Sequence, residues 1–237
     1  MTSNVDGKPV AVVSGGGTGI GLATAKLLLA RGYAVTSVGM DREDSLPDDL
    51  TFVKLDVTDD GAVRELSARF DHLNALVNAA GMNAHNRGEF EMSGFRRVIE
   101  VNLVGMASLC FAFHDALQRI KGAIVNIASM HAIFGAPLTP AYAASKGGVV
   151  QLTKSLAVAW AESGIRVNAV APGWIDTRIS AKAIHNEARA PGIMERLPMK
   201  RWGQPDDVAR VICFLLSAEA DYVAGSLFTV DGGYSSI

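Results

Sequence analysis

Short apolar runs rich in Val and Ile recur along this chain, each separated from the next by a longer segment. They fall at residues 10–13, 34–38, 52–55, 73–78, 123–127, 165–170 and 227–230. Residues 22–31, 62–70, 95–117, 142 to about 161, and 208–216 have helical patterning instead. Several of the short runs are apolar at successive positions, so both faces of the strand need cover, and that is the property of a parallel sheet. The pattern predicts an α/β fold: a doubly wound parallel sheet with helices on both faces, in one domain spanning residues 1–237. An apolar content of 49%, against 19% charged residues, supplies a core of the size this needs.

Ligands of such sheets bind beyond the carboxyl ends of the strands. The residues that stand out fall there. Gly15, Gly17, Thr18, Gly19, Ile20 and Gly21 follow the first run and open the first helix. Glycine lets backbone approach a pyrophosphate, and the helix N-terminus presents unpaired N–H groups to it. Flexible turns are also glycine-rich, so the place between strand and helix carries the dinucleotide reading. Asp56 and Val57 follow the third run; Asn78, Ala79, Ala80 and Gly81 close the fourth. Ser129 follows the fifth run, and Pro172 and Gly173 the sixth. Tyr142 and Lys146 stand four apart on a helix and share a face. A fixed ammonium favours the phenolate, which would make Tyr142 a usable general acid or base. An ordinary amphipathic helix bearing a Tyr and a Lys is the competing reading of that pair taken alone; their convergence with the other strand-end residues decides against it.

With these residues in order, the chain resembles the classical short-chain dehydrogenase/reductase family over essentially its whole length. Gly15, Gly19 and Gly21 resemble the family's glycine motif, and Asn78-Ala79-Ala80-Gly81 its Asn-Asn-Ala-Gly segment, with Ala in the second place. The resemblance implies a Rossmann-type sheet and a catalytic set of Asn102, Ser129, Tyr142 and Lys146. It implies hydride transfer between a nicotinamide cofactor and a secondary alcohol or ketone. Tyr142 would move the proton, Ser129 hold the substrate oxygen, Lys146 lower the Tyr142 pKa and hold the ribose, and Asn102 support a proton relay. Pro172, Gly173, Ile175 and Thr177 would hold the nicotinamide end. A non-catalytic sensor or scaffold on the same fold is the rival function, and the intact proton-transfer set argues against it.

The end of the second run bears on NAD against NADP. An acid there bonds the ribose hydroxyls of NAD and repels the extra phosphate of NADP. Gly39, Met40, Asp41 and Arg42 give a mixed signal, since Gly39 leaves room for a phosphate and Arg42 could pair with it, while Asp41 could serve the ribose. The balance favours NAD slightly. Asp56 would reach the adenine edge. His85, Ser129, His131 and Trp174 are placed near the reacting carbon, and residues 177–200, broken by Pro191-Gly192 and Pro198, read as a substrate lid. Polyols, sugar-like compounds, hydroxy acids and cyclic alcohols all remain open.

A formal net charge of −2 offers no footprint for nucleic acid or anionic lipid. Cys110 and Cys213 lie far apart in apolar surroundings with no metal-ligand spacing, which fits buried thiols, no metal site and a reducing, cytoplasmic setting. Neither an apolar leader nor a run long enough to span a membrane is present. Residues 95–117 and 142–161 are apolar around much of their circumference, so a homo-oligomer, tetramer or dimer, is expected to bury them.

Overall fold

The computed structural model describes residues 7–84 and 87–237. Its strands are β1 (Val10–Ser14), β2 (Ala34–Gly39), β3 (Thr51–Lys54), β4 (Ala75–Asn78), β5 (Ala123–Ile127), β6 (Arg166–Pro172) and β7 (Leu227–Val230). They form one 7-stranded sheet in the order β3-β2-β1-β4-β5-β6-β7, and every pairing is parallel. Chain direction across the sheet therefore reverses between β1 and β4, the kind of switch point where such sheets open a crevice.

The helices are α1 (Gly19–Ala30), α2 (Asp60–Ser67), α3 (Met92–Ile99), α4 (Gly105–Ala112), α5 (His114–Gln118), α6 (Pro140–Ala159), α7 (Ala181–Ile184), α8 (Ala190–Glu195) and α9 (Pro205–Leu216). Alternation along β1 sorts them into two layers. Val12 points to one face and packs in a core with Val63, Leu109, Phe113 and Leu156 of the α2, α4 and α6 side. Ala11 and Val13 point to the other, where Leu22, Leu28 and Ile212 bring in α1 and α9. Both faces of the sheet are thus dry, as the apolar runs require.

Two local features stand out. The connection between β2 and β3 contains no helix. It is rich in acids and carries Pro47, so no apolar stripe of helical period exists to dock; Leu50, buried, and Leu46, partly buried, pin it to the α1 side instead. The stretch expected as one helix over 95–117 is interrupted by a π-helical turn at Glu100–Val104 and again at Phe113. The π turn adds a residue to the helical circuit and aims Asn102, fully buried, into the molecule.

Segment 177–200 holds the short helices α7 and α8. It has a small core of its own, in which Ile193 and Leu197 meet Met130 and Tyr234. Among the described residues no helix is long and apolar enough to cross a membrane.

Candidate active site

A cleft of about 530 Å³ runs along the carboxyl ends of β1 to β6. Its floor is the turn from β1 into α1. Gly15 has φ +68°, and a Cβ there would lie 2.7 Å from the backbone of Ala79. A Cβ on Gly21 would lie 2.2 Å from the Gly15 carbonyl oxygen. These contacts are backbone against backbone, so only hydrogen fits at either position. Thr18, the N-cap of α1, makes no side-chain capping bond, and the first turn carries no acid. The unpaired N–H groups and positive dipole end of a 12-residue helix are left uncompensated at the cleft. This cradle fits the pyrophosphate of a dinucleotide.

At one end of the cleft lie Gly39, Met40 and Asp41 after β2, and Asp56 and Val57 after β3. Asp56 Oδ1 accepts hydrogen bonds from the Thr58 backbone N–H (3.0 Å) and hydroxyl (2.8 Å). Its Oδ2 accepts from the Arg97 guanidinium at 3.1 Å. The Thr58 N–H, then the Thr58 hydroxyl and Arg97, hold this carboxyl below the usual range in spite of partial desolvation. Arg97 lines the cleft beside it and was not legible in the sequence, because its partner lies 41 residues away. Gly17 braces this end from behind. Its carbonyl accepts from Glu43 N–H at 3.0 Å, and a Cβ on it would strike the Asp41 carbonyl oxygen at 2.2 Å.

The other end brings together Ser129, Tyr142 and Lys146 with Pro172, Gly173, Ile175 and Thr177. Ser129 is 6% exposed; its Oγ accepts from the His131 N–H at 3.1 Å and is hydrogen-bonded to the Tyr142 side chain. Lys146 Nζ donates to the Ile127 carbonyl at 2.7 Å and lies 5.6 Å from the centre of the Tyr142 ring. Burial pushes Lys146 down to about 8. Removal from water raises Tyr142, the Ser129 hydrogen bond lowers it, and the charge of Glu89 raises it further. The expected pull of Lys146 is not among the influences on the phenol, and desolvation acts on both groups against their charged forms. At neutral pH the pair is a protonated phenol beside a buried ammonium.

Other predicted residues stand behind the cleft wall. Asn102 Oδ1 accepts from Met82 N–H (2.8 Å), while its Nδ2 donates to Met82 O (2.9 Å) and Ser145 Oγ (3.1 Å). The side chain is thus a clamp between the end of β4 and α6. Asn78 turns under the sheet, where its Nδ2 donates to Asn126 Oδ1 at 2.9 Å; Asn126 Nδ2 donates in turn to Thr153 Oγ1 at 3.0 Å. Ala79, Ala80 and Gly81 after it do line the cleft. His131 packs edge-on to Tyr142, Phe134 and Trp174, and both His131 Nδ1 and Trp174 Nε1 are buried without a hydrogen-bond partner among the described residues. His85 lies outside the described residues. Among the described residues no cluster of His, Cys, Asp or Glu could hold a metal ion.

A family model described as enoyl-(acyl carrier protein) reductase matches residues 15–235. A cis-4-hydroxycyclohexanecarboxylate dehydrogenase of Sinomonas cyclohexanicum is 40% identical, over 96% of this chain and 97% of the relative. The 2-dehydro-3-deoxy-D-gluconate 5-dehydrogenase of Bacillus subtilis is 38% identical, over 95% and 94%. Among solved structures, one from Agrobacterium tumefaciens, provisionally assigned as a 2-deoxy-D-gluconate 3-dehydrogenase, carries bound NADP. It superposes with a TM-score of 0.88 at 36% identity, over 98% of both chains. The cradle at α1 and the Ser129, Tyr142 and Lys146 group sit in a chain alike to these from end to end. The chain is an NAD(P)-dependent oxidoreductase of secondary alcohols and ketones, and it belongs to the short-chain dehydrogenase/reductase family.

Proposed function

We propose that Tyr142 is the group that exchanges a proton with the substrate oxygen, with Ser129 holding that oxygen and Lys146 supporting the phenol from below. The observation that carries this is the meeting of Ser129, Tyr142 and Lys146 in one cleft with the α1 cradle. Gly15, Gly19 and Gly21 with the α1 N-terminus would bind the cofactor pyrophosphate; Pro172, Gly173, Ile175 and Thr177 would flank the nicotinamide. When bound, the nicotinamide supplies or accepts the hydride. The protonated state of Tyr142 at neutral pH suits proton donation to a ketone, and alcohol oxidation would gain as pH rises toward its pKa. Ser129 Oγ, already fixed by His131 N–H, presents its hydroxyl to developing charge on the substrate oxygen. Segment 177–200 would act as the lid that excludes water over this end.

Asp41 lines the cleft, whereas Arg42 sits 5.9 Å from the Phe52 ring centre and does not, which supports NAD as the preferred cofactor. Hydroxy acids are the first substrate class to test, since both dehydrogenase relatives are named for carboxylate substrates. Val104, Phe111 and Val158 leave a band of exposed apolar surface on the α4 and α6 side, which supports a second copy packing there. Two buried free thiols support a reducing, cytoplasmic setting.

The reading is tested by following nicotinamide absorbance with NAD and NADP against hydroxy acids, polyols, sugars and cyclic alcohols, for the native chain and Tyr142→Phe. The variant is expected to lose turnover by about a hundredfold or more and to keep cofactor binding. Near-native turnover in that variant would refute the role.

A further inference from the structure

We propose that Glu89 is a positioning residue for Tyr142: its buried carboxylate joins the first turn of α6 to the segment after β4, and so holds the phenol against the facing cleft wall. The inference rests on the proton-transfer role of Tyr142.

Glu89 stands in the short turn Gly88–Phe90, reached through Arg87 in the left-handed region at φ 60°. Only 1% of it is exposed. Oε2 accepts the Tyr142 backbone N–H at 2.9 Å, and Oε1 accepts the Ala84 backbone N–H at 3.0 Å. Among the described residues no Lys, Arg or His makes an ion pair with it; its charge is met by two peptide N–H groups and the positive end of a 20-residue helix. The local N-cap of that helix, Thr139, makes no side-chain capping bond. A residue 53 positions upstream has taken over the cap.

This choice has a mechanical result. A Ser or Asp at position 139 could satisfy the same kind of orphan N–H without burial, but it would tie α6 only to itself. Glu89 ties it to Ala84, two residues beyond Met82, whose backbone Asn102 grips from the other side. Both walls beside the phenol are therefore set by one carboxylate and one amide. The carboxylate also acts through space. Among the described residues, the groups around the Tyr142 side chain are the Ser129 hydroxyl, the Lys146 ammonium, the His131 ring and Glu89, and Glu89 is the acid among them.

Glu89→Gln keeps the shape but removes the charge, and its amide can accept from only one of the two N–H groups. Alcohol oxidation is followed across pH for Glu89→Gln and Glu89→Asp, with cofactor affinity from nicotinamide fluorescence. In Glu89→Gln, kcat is expected to fall about tenfold, cofactor Kd to stay within about twofold, and the rising limb of the kcat profile to move to lower pH. Glu89→Asp keeps the charge on a shorter arm, so its kcat falls while the limb stays in place. A merely structural residue would lower stability or the plateau and leave the limb unmoved in both. Native kcat with an unmoved limb in Glu89→Gln overturns the proposal. Should that variant not fold, native kcat in Glu89→Asp overturns it instead. Silence at Glu89 with an inactive Tyr142→Phe refutes this inference alone; an active Tyr142→Phe refutes the reading beneath it.

Discussion

Replacing Lys146 by Met tests how far the site trades stability for a buried charge. Lys146 is 3% exposed, its Nζ donates to the Ile127 carbonyl at 2.7 Å, and burial brings its pKa from 10.5 to about 8. Because the folded state holds the proton less tightly than the unfolded chain, stability is lost as pH falls from 10.5 through 8 and recovered as pH rises. At neutral pH the charge costs about 3 kcal/mol, at roughly 1.4 kcal/mol per pKa unit. Met removes that cost but leaves the Ile127 carbonyl without its donor, a loss of about 1–3 kcal/mol. The two effects nearly offset at about pH 7, so the decisive quantity is the change with pH. Between about pH 7 and about pH 9 the native protein should gain roughly 1 kcal/mol on the variant. Cys213 and Cys110, raised by burial to about 11 and about 12, work in the opposite direction because the unfolded thiols ionise first. They are common to both proteins and cancel in the difference. Urea unfolding of both at the two pH values is the assay. A stability difference that does not change with pH would falsify the view of Lys146 as a buried charge held against desolvation, and so would one that changes in the reverse sense.

Gly21→Ala places a methyl group 2.2 Å from the Gly15 carbonyl oxygen, where only backbone can move. It should weaken cofactor binding about tenfold and destabilise the fold by about 1–3 kcal/mol; fluorescence titration returning a native Kd would refute the cradle. Phe113→Ala empties a fully buried site in the α4 layer, including an edge contact with Phe70 at 5.6 Å, and should cost about 3–5 kcal/mol in urea unfolding while leaving kcat within about twofold. A loss below about 1 kcal/mol would mean the layer is not packed as described.

Strands were the legible part of this chain, for a physical reason. Residues 123–127 are buried at every position, and a short run between turns in which only Asn126 is polar leaves little but a covered parallel strand. The cradle was legible too, because close backbone approach leaves its mark as glycine. Helix continuity was not: over the five residues Glu100–Val104 a π turn and an α turn share almost the same apolar pattern, and the difference is decided by the clamp of Asn102 on Met82. Orientation within the site was least legible. Spacing places Lys146 beside Tyr142 but is blind to the Ile127 carbonyl that draws the ammonium and to the burial that raises the phenol. Glu89 left no local trace, since its meaning lies in a bond to a residue 53 positions away.

Asn78 and Asn126 stand directly opposite each other in the pairing of β4 with β5, amid Ala75, Leu76 and Val77 on one strand and Ala123, Ile124 and Val125 on the other. Those apolar neighbours are so alike that sliding one strand past the other by two residues would bury nearly the same surface. The amides forbid it. A slip would break the bond between Asn78 and Asn126 and strand polar groups in a dry interior, at about 1–3 kcal/mol each. It would also carry Ser129 about 7 Å along the strand axis, two residues at roughly 3.3 Å, and out of reach of Tyr142. The correct alignment of a nearly featureless pair of strands, and with it the meeting of hydroxyl and phenol, is selected by two side chains that never enter the cleft.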